Sequence, residues 1–192
     1  MTRLVLASTS PARLTLLRNA GIDPITIAPG VDEDAVTARA EQMGLISGTH
    51  DMVHLLAKAK AEAVVGHPDA RGLIIGCDSS LEFEGESLGK PHEAEVARER
   101  WRRIRGKSGV LHSGHWLIDG ETGAATGKVT QTSVSFANLS DEQIHKYVAT
   151  GEPLQVAGAF TIDGIGGAFV ERIDGDYHTV VGLSLVALRE LV

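Results

Sequence analysis

Arg13, Lys60 and Lys90 are cations, and Asp78 a carboxylate, in surroundings where such groups could hold a ligand. Ser8-Thr9-Ser10-Pro11-Ala12-Arg13 follows the apolar run Leu4-Val5-Leu6-Ala7, which reads as a strand delivered into the start of a helix. Ser10 suits the N-cap because its hydroxyl accepts a backbone N–H the helix leaves orphaned, and Pro11 suits the first helical position. Arg13 then falls in the first turn, where the macrodipole disfavours a cation. A guanidinium held at a positive helix end is satisfied by an anion, and phosphate is the obvious one. An ordinary β–α turn with a solvated arginine has the same local sequence.

Asp78 closes the buried-strand pattern Gly72-Leu73-Ile74-Ile75-Gly76-Cys77, which puts a carboxylate at the end of a central strand, where open α/β sheets bind ligands. A turn aspartate opening a hairpin fits the same pattern. Asp32-Glu33-Asp34 follows Pro29-Gly30 as three carboxylates on a loop, able to hold a hard divalent cation together with substrate phosphates, or simply solvated. In the pattern over 51–65, Lys60 lies four residues from both Leu56 and Val64, inside the apolar stripe, whereas Lys58 lies outside it. An inward lysine either snorkels or neutralises an anion. Lys90 is held between Gly89 and Pro91 just before a helical pattern.

Other chemistries are excluded. The eight histidines show no ligand spacing, which argues against zinc. Gly164, Gly166 and Gly167 have neither the spacing nor the following helix of a dinucleotide fingerprint. Cys77 is the single cysteine, so the chain forms no internal disulfide. A net charge of −7 with no basic run argues against a nucleic-acid partner. With no apolar stretch of membrane-spanning length and no signal-peptide pattern, a soluble cytoplasmic protein without a membrane partner is expected.

The elements that must position these residues alternate early. Strands are expected at 3–7, 24–28 and 73–77, with helices between them, and 36–50 as the loosest segment. A hairpin turning at Glu84-Gly85, a helix over 92–105, and two long strands over 109–119 and 124–136 follow. Ser140 and Gln143 form a capping box for a helix to about Thr150. Strands near 159–162 and 168–173, and a final helix from about Leu183, complete the chain. The expectation is one α/β domain over 1–192 with a mixed sheet.

Taken in order, the motifs resemble the Maf family of nucleoside triphosphate pyrophosphatases. They are Leu-Ala-Ser-x-Ser-Pro-x-Arg at 6–13, Val-Asp-Glu at 31–33, Leu-Ala-x-x-Lys-Ala at 56–61 and Gly-x-Asp-Ser at 76–79. Gly-Lys-Pro at 89–91, Gly-Glu-Pro-Leu at 151–154, Ala-Gly-Ala-Phe-x-Ile-x-Gly at 157–164 and Glu-Arg-Ile-x-Gly-Asp-Tyr at 171–177 follow. The resemblance implies a mixed, strongly twisted sheet with flanking helices and two lobes around a cleft. It implies cleavage of a nucleoside triphosphate between the α- and β-phosphates, assisted by Mg²⁺ or Mn²⁺. Asp78 takes the place of the catalytic carboxylate, Glu33 and Asp78 the metal side, and Ser8, Ser10, Arg13, Lys60 and Lys90 the phosphate contacts. A homodimer follows by analogy only.

The chain departs from the usual pattern at Ala12, often a second Arg; at Cys77-Asp78-Ser79, often Ala-Asp-Thr; and at Ser184, often Pro. At the three pocket positions where the thymidine/uridine branch typically has Arg, Thr and Gln, it has Ala12, Ser79 and Asp163. The resemblance therefore leaves the base open. It also leaves a rival role, a nucleotide sensor in the arrest of cell division.

Overall fold

The computed structural model describes residues 3–192. Strand β1 (Leu4–Ala7) leads through Ser10, whose side chain accepts from the Arg13 amide, into α1 (Pro11–Asn19). Strand β2 (Ile25–Thr26), α2 (Glu33–Gln42), α3 (Thr49–Ala63) and β3 (Leu73–Phe83) follow. Glu84 and Gly85, both at positive φ, turn β3 into β4 (Glu86–Leu88), the geometry that matches strand twist. Next come α4 (Ala94–Ile104), β5 (Ser108–Asp119), β6 (Ala125–Phe136) and α5 (Asp141–Ala149), opened by the expected capping box. Three short 3-10 turns (Glu152–Gln155, Ala157–Ala159, Ile165–Phe169) precede β7 (Val170–Gly175), α6 (Tyr177–Val181) and α7 (Leu185–Leu191).

The seven strands form one open mixed sheet in the order β2-β1-β3-β5-β6-β7, with β4 paired to β3. β1 runs parallel to β2 and β3, and the other pairings are antiparallel. Leu4 and Leu6 enter a core with Leu16, Leu17 and Leu188 on one face, while Val5 and Ala7 enter another with Ala61 and Val64. β1 is thus covered by helices on both faces, which explains its unbroken apolar run. A third core gathers round Trp101, edge-on to Phe136, Tyr147 and Phe169, with its indole N–H donating to the Ala159 carbonyl at 2.8 Å. Helix α3 lies directly on the sheet: a Cβ on Gly76 would stand 2.2 Å from the Ala57 carbonyl oxygen, and one on Gly114 2.2 Å from that of Val53.

Three expectations are corrected. The acidic triplet is not on a loop. Asp32 caps α2, accepting from the Ala35 amide at 3.0 Å, and Glu33 and Asp34 fill its first turn, where the dipole favours acids. The sequence pattern does not reveal α2 because Ala40 is its one buried residue. The strand carrying Asp78 does not end there but runs on to Phe83, because its ladder to β5 needs only backbone, whatever the side chains. Residues 159–162 are not a strand, since Gly158 and Ala159 at φ of 68° and 61° turn the chain. The last helix falls where expected, as α7, and the short α6 before it, which the sequence pattern does not reveal, is closed by Gly182 at φ 117°.

Ser184, standing where the family often has Pro, donates its N–H to His115 Nε2 at 2.8 Å and caps α7 with its hydroxyl. A proline could not make the first bond. His115 is buried as the neutral imidazole, its pKa pushed down to about 4 by desolvation.

Candidate active site

β5 covers one edge of β3 from Leu73 to Glu82. On the other edge β1 pairs with Leu73–Gly76 and β4 with Leu81–Phe83, so Cys77–Ser80 has no ladder partner there. Asp78 sits in this notch. It is not at a strand terminus, yet it lies just beyond the end of β1, which opens the sheet in the same way. With β alternation, Gly76 and Asp78 face α3, while Cys77 and Ser79 face α1 and α6.

On the α3 side, Lys60 Nζ stands 2.6 Å from Asp78 Oδ1 and 2.9 Å from Glu33 Oε1. Lys60 and Asp78 are buried and Glu33 is half exposed. Burial pushes the Asp78 carboxyl above its ordinary pKa, and the Lys60 ammonium pulls against that shift. Lys58, two residues away, points outward, 3.8 Å from Glu62 and 5.2 Å from the Trp116 ring centroid.

On the other side, Arg13 is held at three points. Nε donates to the Gly182 carbonyl at 2.7 Å, Nη1 to Ser8 Oγ at 3.3 Å and Nη2 to Ser79 Oγ at 3.0 Å. Ser8 Oγ also accepts from the Ser10 amide at 3.1 Å. Ser79 Oγ lies 2.7 Å from Ser113 Oγ, which donates to the Thr179 carbonyl at 2.8 Å.

Both sides open into one cavity of about 500 Å³. The β1–α1 corner contributes Ser8, Ser10, Ala12 and Arg13; the sheet and α3 contribute Asp78, Ser79 and Lys60. Glu33, Lys90 and Asp163 also line it, whereas Asp32 and Asp34 do not. Lys90 is placed by Gly89, whose carbonyl accepts from Arg100 and from the Gly158 amide. Glu152, which also lines the cavity, was missed as a site residue. Its only signal in the sequence is its place in Gly-Glu-Pro-Leu.

A family model described as Maf-like protein matches residues 3–192. The chain belongs to the Maf family. Among its relatives, a Leifsonia xyli protein is 55% identical over 99% of this chain and 91% of its own length. One from Salinispora tropica is 54% identical over 99% of this chain and 82% of its own. One from Streptomyces avermitilis is 47% identical over 99% of this chain and 89% of its own. All three are named nucleoside triphosphate pyrophosphatase. Among the described residues of this Maf chain no three His, Cys, Asp or Glu side chains form a ready metal group. Lys60 Nζ takes Oε1 of Glu33 and Oδ1 of Asp78, and the second oxygen of each carboxylate is a hard donor of the kind Mg²⁺ takes together with substrate phosphates and water. No helix among the described residues is long and apolar enough to cross a membrane.

Proposed function

We propose that this Maf-family chain hydrolyses nucleoside triphosphates between the α- and β-phosphates, yielding a nucleoside monophosphate and pyrophosphate. The observation that carries the reading is the buried Asp78–Lys60 pair, joined by Glu33, on the wall of a cavity that Arg13 and Lys90 also line. The relatives' name agrees with it.

Lys60 occupies Asp78 Oδ1, so Oδ2 is the oxygen left to take a proton from water. The water oxygen bonds to the α-phosphorus, its proton passes to Asp78, and the bond to the bridging oxygen breaks as pyrophosphate leaves. The Lys60 ammonium opposes the upward shift that burial imposes on the Asp78 carboxyl, and so favours the ionised form that a general base requires. Arg13 and Lys90 offset charge on the triphosphate and the departing pyrophosphate, with Ser8 and Ser10 as further phosphate contacts. Glu33 and Asp78 would hold Mg²⁺ or Mn²⁺. Bound there, the ion would polarise the phosphoryl group and neutralise charge. Exhaustive chelation should abolish turnover, and full activity in EDTA would remove Glu33 from this role.

Asp163 faces the nucleoside end. Unlike Gln, an ionised carboxylate only accepts, so it favours bases or sugars presenting donors. Ala12 leaves room in the same region. The substrate profile is therefore broader than, or shifted from, dTTP and UTP, which suits clearance of modified or surplus nucleotides in the cytoplasm. The test is pyrophosphate release, as kcat/KM, over standard and modified nucleotides for wild type and Asp163→Gln. Absence of release from every nucleotide sinks the enzyme reading. Strict dTTP/UTP specificity left unchanged by the Gln variant sinks the reading of Asp163. The sensor role is disfavoured by the intact acid–lysine–arginine set, since a sensor could discard Asp78 and keep its phosphate contacts.

A further inference from the structure

We propose that Glu152 is a positioning residue for nucleotide selection, its carboxylate clamping both legs of the bend that carries Asp163. The inference rests on the reading of Asp163 as the residue that faces the nucleoside.

Glu152 Oε1 accepts from Thr161 Oγ1 at 2.5 Å, from the Gly166 amide at 2.8 Å and from the Tyr147 hydroxyl at 2.9 Å. Oε2 accepts from the Ile165 amide at 2.8 Å. Thr161 and Ile165 lie two residues before and two after Asp163, so one carboxylate ties the chain on each side of it. Tyr147 anchors the clamp in the core, edge-on to Trp101 and Phe169. The glycines of the bend are shaped to it. A Cβ on Gly164 would stand 2.6 Å from Glu152 Oε2, and one on Gly166 2.4 Å from the Tyr147 oxygen.

All four partners donate, so the position calls for a group that only accepts, as a carboxylate does. Burial alone would raise the Glu152 pKa, but the four donors outweigh it and hold the group below its ordinary value. An amide here would turn an NH₂ toward at least one donor. The bend lies between 3-10 turns, not on a helix or strand, and the Glu152–Tyr147 bond ties it to α5.

The test measures kcat/KM over a nucleotide panel for Glu152→Gln, Asp163→Gln, their combination and Tyr147→Phe. Glu152→Gln should flatten the ratio between the best and worst nucleotides by roughly tenfold, the scale of one charge-assisted hydrogen bond. In that background Asp163→Gln should change the ratio by less than it does alone. Tyr147→Phe keeps the ring and removes one donor, so it should flatten the same ratios to a smaller degree, and it carries the test if Glu152→Gln does not fold. A merely structural role would lower activity on every nucleotide by one factor, leaving the ratios intact, and that outcome overturns the proposal. If Asp163→Gln shifts the ratios and Glu152→Gln does not, the clamp is wrong and the reading of Asp163 stands. If Asp163→Gln has no effect on the ratios, the reading itself fails and this inference goes with it.

Discussion

Asp78 and Lys60 stand on an 11-residue strand and a 15-residue helix, whereas Asp163 stands on a bend between 3-10 turns, held by side chains. At the phosphate end, backbone ladders and a close helix–sheet contact fix the distance between two charges. At the end proposed to take the nucleoside, the bend that carries one carboxylate is tied on both sides by another. Triphosphate chemistry is common to every nucleotide and tolerates little displacement of its groups. Base selection varies between members of a family, and an irregular segment can be rebuilt without disturbing the sheet.

The sharpest way to break this division is Asp78→Asn. The amide oxygen can still accept from Lys60, so the variant should fold, but it cannot accept a proton. Turnover should fall on the order of 10²-fold or more for every nucleotide. A variant within a few-fold of wild type in kcat would reduce Asp78 to a strand residue. Lys60→Ala comes next, with a loss of roughly tenfold to a hundredfold, because it leaves Asp78 buried without its cation. Lys58→Ala, which loses only an exposed ion pair and a contact with Trp116, should leave kcat/KM unchanged. Equal losses from the two would contradict the inward placement of Lys60.

A glycine pair sets the two ends against each other. Gly76→Ala would drive a Cβ into the α3 backbone, costing about 1–3 kcal/mol of stability and separating Lys60 from Asp78. Gly164→Ala meets side-chain oxygens of Glu152 and Thr161 and should alter nucleotide ratios with a smaller change in thermal midpoint. Denaturant titration alongside the nucleotide panel separates the two. Equal stability losses would mean that the bend is as firmly built as the sheet.

The same contrast governs what could be read from the residues alone. Lys60 was legible because a helical stripe is periodic, and the capping box at Ser140–Gln143 because it is local. Asp78 was found, but its strand was cut short because Asp78, Ser79 and Ser80 interrupt the apolar run that marks a strand. α2 was invisible because a helix burying one alanine has no stripe. The Arg13–Gly182 and Glu152–Ile165 bonds join residues far apart in sequence or across irregular turns, and no periodicity records them.

Ser79 has the smallest expected effect and decides where the boundary between the two ends falls. By the family resemblance it groups with Ala12 and Asp163, pocket positions proposed to read the base. By its bonds it belongs with Arg13. Arg13 Nη2 can only donate, so Ser79 Oγ accepts from it. The Thr179 carbonyl can only accept, so Ser113 donates to it and must itself accept from Ser79. The single Ser79 proton is therefore committed to Ser113 and no donor remains for a base. Ser79→Ala should loosen the guanidinium and raise KM for all nucleotides by one common factor of about fivefold, the scale of one lost hydrogen bond. It should leave the ratios among bases, and kcat, nearly unchanged. Michaelis constants for the whole panel measure this directly. Ratios that move with Ser79→Ala as they do with Asp163→Gln would place Ser79 at the nucleoside end and shift the boundary across β3. A common factor would make Ser79 part of the phosphate grip, so that a position which differs between family branches acts here through Arg13.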